Sequence, residues 1–563
     1  MQMLDPHGQN KSGDNRNMFV AVALAAIAIL GYEYISSTKA ENTAEIVETT
    51  ATTKQVVTTA DGTSMPGTPE NLYVEKREVA AVVPTEEATV QRVAIHSDIF
   101  DGSISLMGGR VDSLALPAFQ TELKSGENIT LFHSGGENAH FFDAGWLSTG
   151  GINTPNGNTM WKTSGSILSP NNPLTLLWSN NSGQEFKRIF TLADDSYTIN
   201  VTDSVTNSSG AKANLTHYSQ IHKTGVDLEG SGGIYNAEVS TFYNFLGPMG
   251  IVDDLRVEAD YDDLQDAPVK KTGSQGWIGM TSRYFMAALV PDQLTEQTFL
   301  WRYSKTGGRD FYTTIMQPES MDIDAGQTVA YGYTLYAGPK SATELEKVTG
   351  QVRKAIDYGW FDIIARPIYV MVMWFYGLVG NFGLAIIFAT IVLKMITYPL
   401  AYKSYSAMAK MRKLQPRLTL LKERYADNKE QFAIEMMGLY KEHKVNPLSG
   451  CWPTFIQIPI FFAFYKVILI SFEFRQAPLA LWIEDMSVMD PYFVLPILMG
   501  LSMMLQMRLS PTSGDPTQQM MIKIMPIVFT FMFLWFPSGL VLYWLTNNVV
   551  SILQQLYVNK KLA

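Results

Sequence analysis

Apolar residues are spread unevenly along the 563 positions, and the period at which they recur changes twice. The first apolar run, "MFVAVALAAIAILGYEYI" from Met18 to Ile35, is continuous and long enough to predict a membrane-spanning helix. Lys11 and Arg16 precede it, and no small-x-small cleavage site follows. It therefore reads as an uncleaved anchor over 18–35, with 1–17 in the cytoplasm. Residues 36–88, with stretches such as "ETTATTKQVVTTADGTSMPGTPE", lack the apolar content for a core and read as a disordered linker.

Over 89–342 the period shortens to two. Tyr197, Ile199 and Val201 share one face of "SYTINVTDS", and Tyr331, Tyr333 and Leu335 share one face of "VAYGYTLYAG". Turn clusters "ADDS" and "NSSG" separate the runs, which predicts a large antiparallel β-sandwich. Because it follows an outward-going helix, this domain is placed outside the cytoplasm. Its carboxylates read as scattered along a solvated acidic surface.

Helical spacing returns at 343–380, where Asp362, Arg366 and Pro367 interrupt the apolar stretch and Trp360, Trp374 and Phe375 suit headgroup depth. Only Asn381 and Phe382 separate this stretch from the next apolar run, too little for a reversal between two spans, so it is read as linking and interfacial amphipathic helices. The run 382–400 predicts a second span. Residues 401–447 carry Met408, Met411, Leu414, Leu418, Leu421 and Tyr425, then Phe432, Met436 and Leu439, at steps of three and four. Two such stripes predict a helical hairpin whose first arm is bent by Pro416. Four further spans are predicted over 451–470, 492–507, 522–536 and 538–557, with a basic tail over 558–563. The fold class is thus a membrane α-helical bundle, six spans with a five-helix core, plus an extracytoplasmic β-sandwich.

Charge supports this layout. Between Thr38 and Ala355 there are 38 Asp plus Glu and 23 Lys plus Arg, a balance of -15, which leaves +5 for the rest of a chain of net charge -10. The hairpin between Lys403 and Lys444 holds 10 Lys plus Arg against 5 Asp plus Glu, so it belongs in the cytoplasm. Cys451 is the single cysteine, which rules out an internal disulfide or a cysteine-based metal cluster. The sequence has no Gly-Lys pair, no G-x-S-x-G and no H-E-x-x-H, so nucleotide, serine-hydrolase and zinc-protease chemistry find no motif. His217 and His222, or His133 and His140, are conceivable metal ligands, though isolated histidines in a β domain are more often core or surface residues.

The candidate chemistry lies in "GLAIIFATIVLKMITYPL". Lys394 sits ~18 Å along the helix from Phe382 and ~9 Å before Leu400 at ~1.5 Å per residue, in the inner half of a bilayer. A cation at the centre of a spanning helix costs ~2.5–3.5 kcal/mol on insertion scales, so water, a counter-ion or a function must offset it. Snorkelling to the cytoplasmic headgroups is the bland alternative. Thr390 lies one turn away on the same face, Gln457 interrupts another span, and Tyr543, Trp544 and Asn547 interrupt the last. Each can serve as an ordinary helix-to-helix hydrogen bond. Two polar-faced helices also suit a shared wet cavity with Lys394 inside.

The runs "SYSAMAKMRKLQPRL", "KVNPLSGCWPTFIQIPIF", "RQAPLALWIEDMSVMDPYFVLPILMG" and "FLWFPSGLVLYW" resemble the YidC membrane-protein insertase family in its Gram-negative form. The likeness is strong over about 361–557 and follows layout more than motif before that. It implies a non-enzymatic insertase and chaperone of the bacterial inner membrane, with both termini cytoplasmic and the β domain periplasmic. It implies a hydrophilic groove open to cytoplasm and lipid, formed here by Lys394, Thr390, Gln457, Tyr543, Trp544 and Asn547. Lys394 matches a basic position that is often arginine, and Trp544 replaces the second tyrosine of a pair. No cofactor, metal or small-molecule substrate is implied. The implied partners are nascent membrane proteins, the Sec translocon, the ribosome, the signal-recognition receptor and membrane lipids. Two other classes compete: a secondary transporter of small anions, which lacks the internal repeats such proteins usually show, and a membrane-tethered carbohydrate enzyme.

Overall fold

The computed structural model describes residues 91–135, 139–224, 245–292, 295–306, 308–426, 428–443, 452–509 and 516–562. The 18–35 anchor and the 36–88 linker lie outside these residues.

Among the described residues the period-two segments form two large sheets. One has eleven strands and runs from Val269–Gly273 at one edge to Ile167–Leu168 at the other; the second has nine, from Leu255–Glu258 to Lys162–Thr163. Pairing is antiparallel throughout the named strands except where Arg92–His96 meets Ile167–Leu168 in parallel. The alternation read from sequence sets the inner face: Ile199, Val201, Tyr333 and Leu335 are fully buried in a core that also takes Leu114, Phe132 and Phe142 from the opposite sheet. Thr198–Asn207 is held between Gln184–Leu192 and Thr328–Pro339, with Val201 opposite Phe190 on one side and Tyr333 on the other.

The nine-stranded sheet is covered on its other face as well. Met249, Ile251, Trp277 and Met286 pack in one apolar cluster with Leu345, Val352 and Ile356, from the segment that leaves the domain. That cluster continues into the helices through Ala365, Ile368 and Phe464. Burial on both faces explains why strands such as Gly276–Thr281 and Phe285–Pro291 are buried along almost their whole length.

Among the described residues seven α-helices of 14 residues or more follow: α1 (Asp362–Val379), α2 (Phe382–Arg424), α3 (Lys429–Glu442), α4 (Trp452–Ile470), α5 (Val494–Leu509), α6 (Pro516–Phe533) and α7 (Ser538–Leu562). Among the described residues two stretches are long and apolar enough to cross a membrane, Gly359–Val379 and Phe382–Arg424; three further apolar helices are shorter. At 25 residues α7 is long enough, ~37 Å at ~1.5 Å per residue, but Asn547, Asn548, Gln554 and Gln555 make it less apolar.

Several boundaries differ from the sequence reading. The span 382–400 and the first hairpin arm are one 43-residue helix, with Pro399 and Pro416 inside it. No glycine or capping residue follows Leu400, so nothing stops the helix. The turn between α1 and α2 is tighter than expected. Gly380 takes the left-handed conformation (φ +65°) and its N–H caps Tyr376, while Asn381 caps α2 by accepting from Leu384 N–H at 3.0 Å. Phe375 then packs against Phe388 and Tyr376 stacks on Phe382. A two-residue connection therefore does allow the chain to fold back, so its shortness does not by itself argue for an interfacial α1.

The β domain is fixed to the helices through the loop after α4. Phe472 enters the β core beside Phe119 and Phe285, with centroids at 5.1 and 5.5 Å, while Phe474 is buried on the helical side against Phe382. Between them, Glu473 accepts from Ser341 at 3.1 Å and from Tyr369 at 3.0 Å. Arg475 donates to the carbonyls of Gln120 and Thr121, Arg283 to that of Leu469, and Lys124 pairs with Glu484 at 2.7 Å.

Candidate functional site

Three of the sequence-selected polar residues meet between α2, α4 and α7. Lys394 Nζ donates to Gln457 Oε1 at 3.2 Å, and Gln457 Nε2 donates to the hydroxyl of Tyr543. Each of the three helices contributes one polar side chain to this relay. The Tyr543 ring is stacked on Phe464 at 4.2 Å and fully buried, which fixes its hydroxyl toward Gln457. The Cα–Cβ bond of a helical residue tilts toward the helix N-terminus, which for α2 is the end at the β domain. Lys394 reaches across to Gln457 on α4, and so into the bundle. Among the described residues no carboxylate forms an ion pair with it. An ammonium has three donors and Gln457 takes one, so the site offers positive charge and spare donors to an incoming acceptor.

The other three selected residues stand apart from this relay. Thr390 is buried, with its hydroxyl donated to the Ile386 carbonyl at 2.7 Å. Trp544 faces an aromatic cluster with Phe461, Phe529 and Phe533, at 4.9, 6.4 and 5.6 Å. Asn547 is buried one turn beyond Tyr543. Two residues escaped the sequence reading. Gln554 donates to the main-chain carbonyl of Lys394 at 3.3 Å and is visible in the sequence only as a polar residue eleven positions after Tyr543, back on the same face. Lys466, nine positions beyond Gln457 on α4, is a buried cation, and its Nζ lies where a Cβ on Gly359 would come within 3.5 Å.

Most of the described carboxylates of the β domain are exposed, as read from sequence, but Asp112, Asp143 and Asp203 are buried, which corrects the reading at those positions. Asp203 is fully buried and accepts from Arg188 Nε at 2.6 Å and Nη2 at 3.2 Å, from His217 Nε2 at 2.8 Å and from Tyr333 at 3.0 Å. Burial alone would raise its carboxyl, but Arg188 and His217 outweigh that and hold it at about 2. A buried carboxylate appears here because the guanidinium fork and two more donors replace its water. Burial lowers His217 and His140 from their ordinary value of 6.5. At His217 the geometry agrees, since its Nδ1 finds no acceptor among the described residues. Both rings are therefore neutral, and the His217–Asp203 contact is a hydrogen bond rather than an ion pair. His133 faces His140 across paired strands. Among the described residues no three His, Cys, Asp or Glu gather as a metal site.

Comparison with known proteins bears directly on this bundle. A family model described as "60Kd inner membrane protein" matches residues 374–563, and one described as "YidC periplasmic domain" matches 92–371. A membrane protein insertase YidC from Magnetococcus marinus is 39% identical over 469 residues, covering 83% of each chain. One from Rickettsia canadensis is 36% identical over 525 residues, covering 87% of this chain and 92% of that one. The chain belongs to the YidC family. A crystal structure described as an active YidC insertase with its first transmembrane domain resolved aligns over 83% of this chain and 92% of its own, at 18% identity and a TM-score of 0.37. As a YidC-family chain it is a membrane insertase with a periplasmic β-rich domain joined to helices of the inner membrane. Membership displaces both the anion-transporter and the carbohydrate-enzyme readings, because relatives alike over nearly the whole length are named as insertases.

Proposed function

We propose that this chain inserts newly made membrane proteins into the bacterial inner membrane through a polar, lipid-open groove centred on Lys394. The observation that carries the reading is the ammonium of Lys394, turned into the bundle by Gln457 and with no carboxylate paired to it among the described residues. A short acidic or polar segment of the client enters from the cytoplasmic side and is drawn to this charge. The client's apolar helix then passes sideways into lipid, driven by ~0.8 kcal/mol per buried methylene without any nucleotide. Thr390 and Asn547 line the groove beside the relay, and Trp544 contributes apolar wall.

In this reading six helices span: the 18–35 anchor, the first part of α2, α4, α5, α6 and α7. Both termini and the basic hairpin lie in the cytoplasm, and α1 lies at the outer interface, because that arrangement leaves every strongly basic loop inside. The exposed apolar residues of α1, among them Ile363, Val370 and Trp374, and Trp360 just before it, then face lipid. The hairpin meets the ribosome and the signal-recognition receptor, and the bundle works alone or beside the Sec translocon, also as a folding chaperone.

The test is insertion by the purified full-length chain in sealed vesicles, using a client whose translocated tail becomes protease-protected. Protection above that of protein-free vesicles is expected. Protection equal to that background would remove the proposal.

A further inference from the structure

The last helix carries polar atoms that the Lys394 relay leaves unused. Tyr543, Asn547 and Gln554 lie on one face of α7, at steps of four and seven residues. Asn547 is 5% and Gln554 8% exposed, yet Asn547 Oδ1 and Gln554 Oε1 accept no hydrogen bond among the described residues. Gln554 is not free to turn. Its amide faces the Lys394 carbonyl at 3.3 Å, and since a carbonyl only accepts, the NH2 must point there and the oxygen is left over. Buried acceptors in proteins almost always find a donor. Here the neighbouring ammonium of Lys394 disfavours a cation as that donor, and the acceptor oxygens themselves disfavour an anion. A neutral N–H donor fits both constraints, and a polypeptide in extended form carries one at every residue except proline.

We propose that Asn547 and Gln554 are specificity-determining residues that accept hydrogen bonds from the main-chain amides and side-chain amides of an uncharged polar client tail. Lys394 then serves acidic tails and the α7 acceptors serve neutral ones, so one site receives both. The inference rests on the groove reading above and deepens it.

Full-length protein in sealed vesicles is compared with Asn547→Leu, Gln554→Leu and the double variant, using two clients that differ only in a tail rich in Asn and Ser or one rich in Asp. Thermal unfolding checks that each variant is folded, and Asn547→Ser with Gln554→Leu returns one acceptor. The double variant is expected to lose about fivefold or more of neutral-tail insertion and less than twofold of acidic-tail insertion, with partial recovery on adding the serine. Equal losses for both tails would overturn the proposal in favour of a packing role. No loss for either tail would overturn it in favour of acceptors satisfied by water. Lys394→Ala, run in parallel, separates the two levels: if it spares the acidic tail, the groove-charge reading fails, whereas the neutral-tail result alone decides the role of the α7 acceptors.

Discussion

Replacing Gln457 with leucine removes both bonds of the relay without changing side-chain volume greatly. The lysine loses a charge-assisted hydrogen bond of 3.2 Å, of a kind that contributes ~1.5–3 kcal/mol. At ~1.4 kcal/mol per tenfold, that reduces the population of ammonium held inside the bundle by ~10–100-fold, since the free stem can turn toward the hairpin. The buried Tyr543 hydroxyl also loses its partner, an added cost of ~1–3 kcal/mol unless Lys394 moves over to it. The lower end of the range is therefore the expected one. Acidic-tail insertion should fall about tenfold and neutral-tail insertion much less, measured as protease protection in vesicles at matched protein levels. Gln457→Glu supplies a control, because its carboxylate keeps the bond but neutralises the charge; it too should lose the acidic tail. Parent-like insertion of the acidic tail by Gln457→Leu would refute the relay as the device that aims Lys394.

The β domain should lose stability in mild acid, because the folded chain keeps His140 and His217 neutral while the unfolded chain takes up protons below their ordinary 6.5. Each contributes ~1.4 kcal/mol per pH unit below ~6.5 until its folded value is reached; equal unfolding midpoints at pH 7 and 5, followed by the fluorescence of the buried Trp146, Trp277 and Trp301, would contradict this. Asp203 adds a second loss as pH falls from its ordinary 3.8 toward about 2. Arg188→Leu should destabilise the domain by ~3–5 kcal/mol, the cost of stranding a buried partner, read as a lowered denaturation midpoint; a shift below ~1 kcal/mol would mean that the remaining donors suffice for Asp203. Cysteines placed between Lys403 and Lys444 in a Cys451→Ser background should resist an impermeant thiol reagent applied to intact cells, and ready labelling would sink the proposed topology.

The β domain was legible where one face is apolar. Ile199 with Val201, and Tyr333 with Leu335, alternate because one side meets the core. Their pairing was not legible, since Thr198–Asn207 bonds to Thr328–Pro339 across more than a hundred intervening residues. Asp203 was misread because a carboxylate in an acidic domain looks solvated until Arg188 and His217, on two other strands, close over it. In the bundle, polarity within an apolar run pointed to Lys394, Gln457 and Tyr543 one at a time. Their meeting depends on how three helices pack, which no single helix encodes. Trp544 follows Tyr543 directly and stands where the family resemblance implies the second tyrosine of a pair, but adjacent helical residues point ~100° apart, and it joins the Phe461 and Phe533 cluster instead.

The charge on Lys394 is the core of the account, and one comparison addresses it most directly. Two clients that differ only in an acidic or a neutral translocated tail are inserted by vesicles carrying the parent chain, Lys394→Arg, Lys394→Ala or Lys394→Glu at equal levels. Arginine should retain both activities, whereas alanine and glutamate should lose the acidic tail far more than the neutral one, glutamate most of all. Equal insertion of both tails by Lys394→Ala and the parent chain would contradict the account and leave the lysine as an anchor.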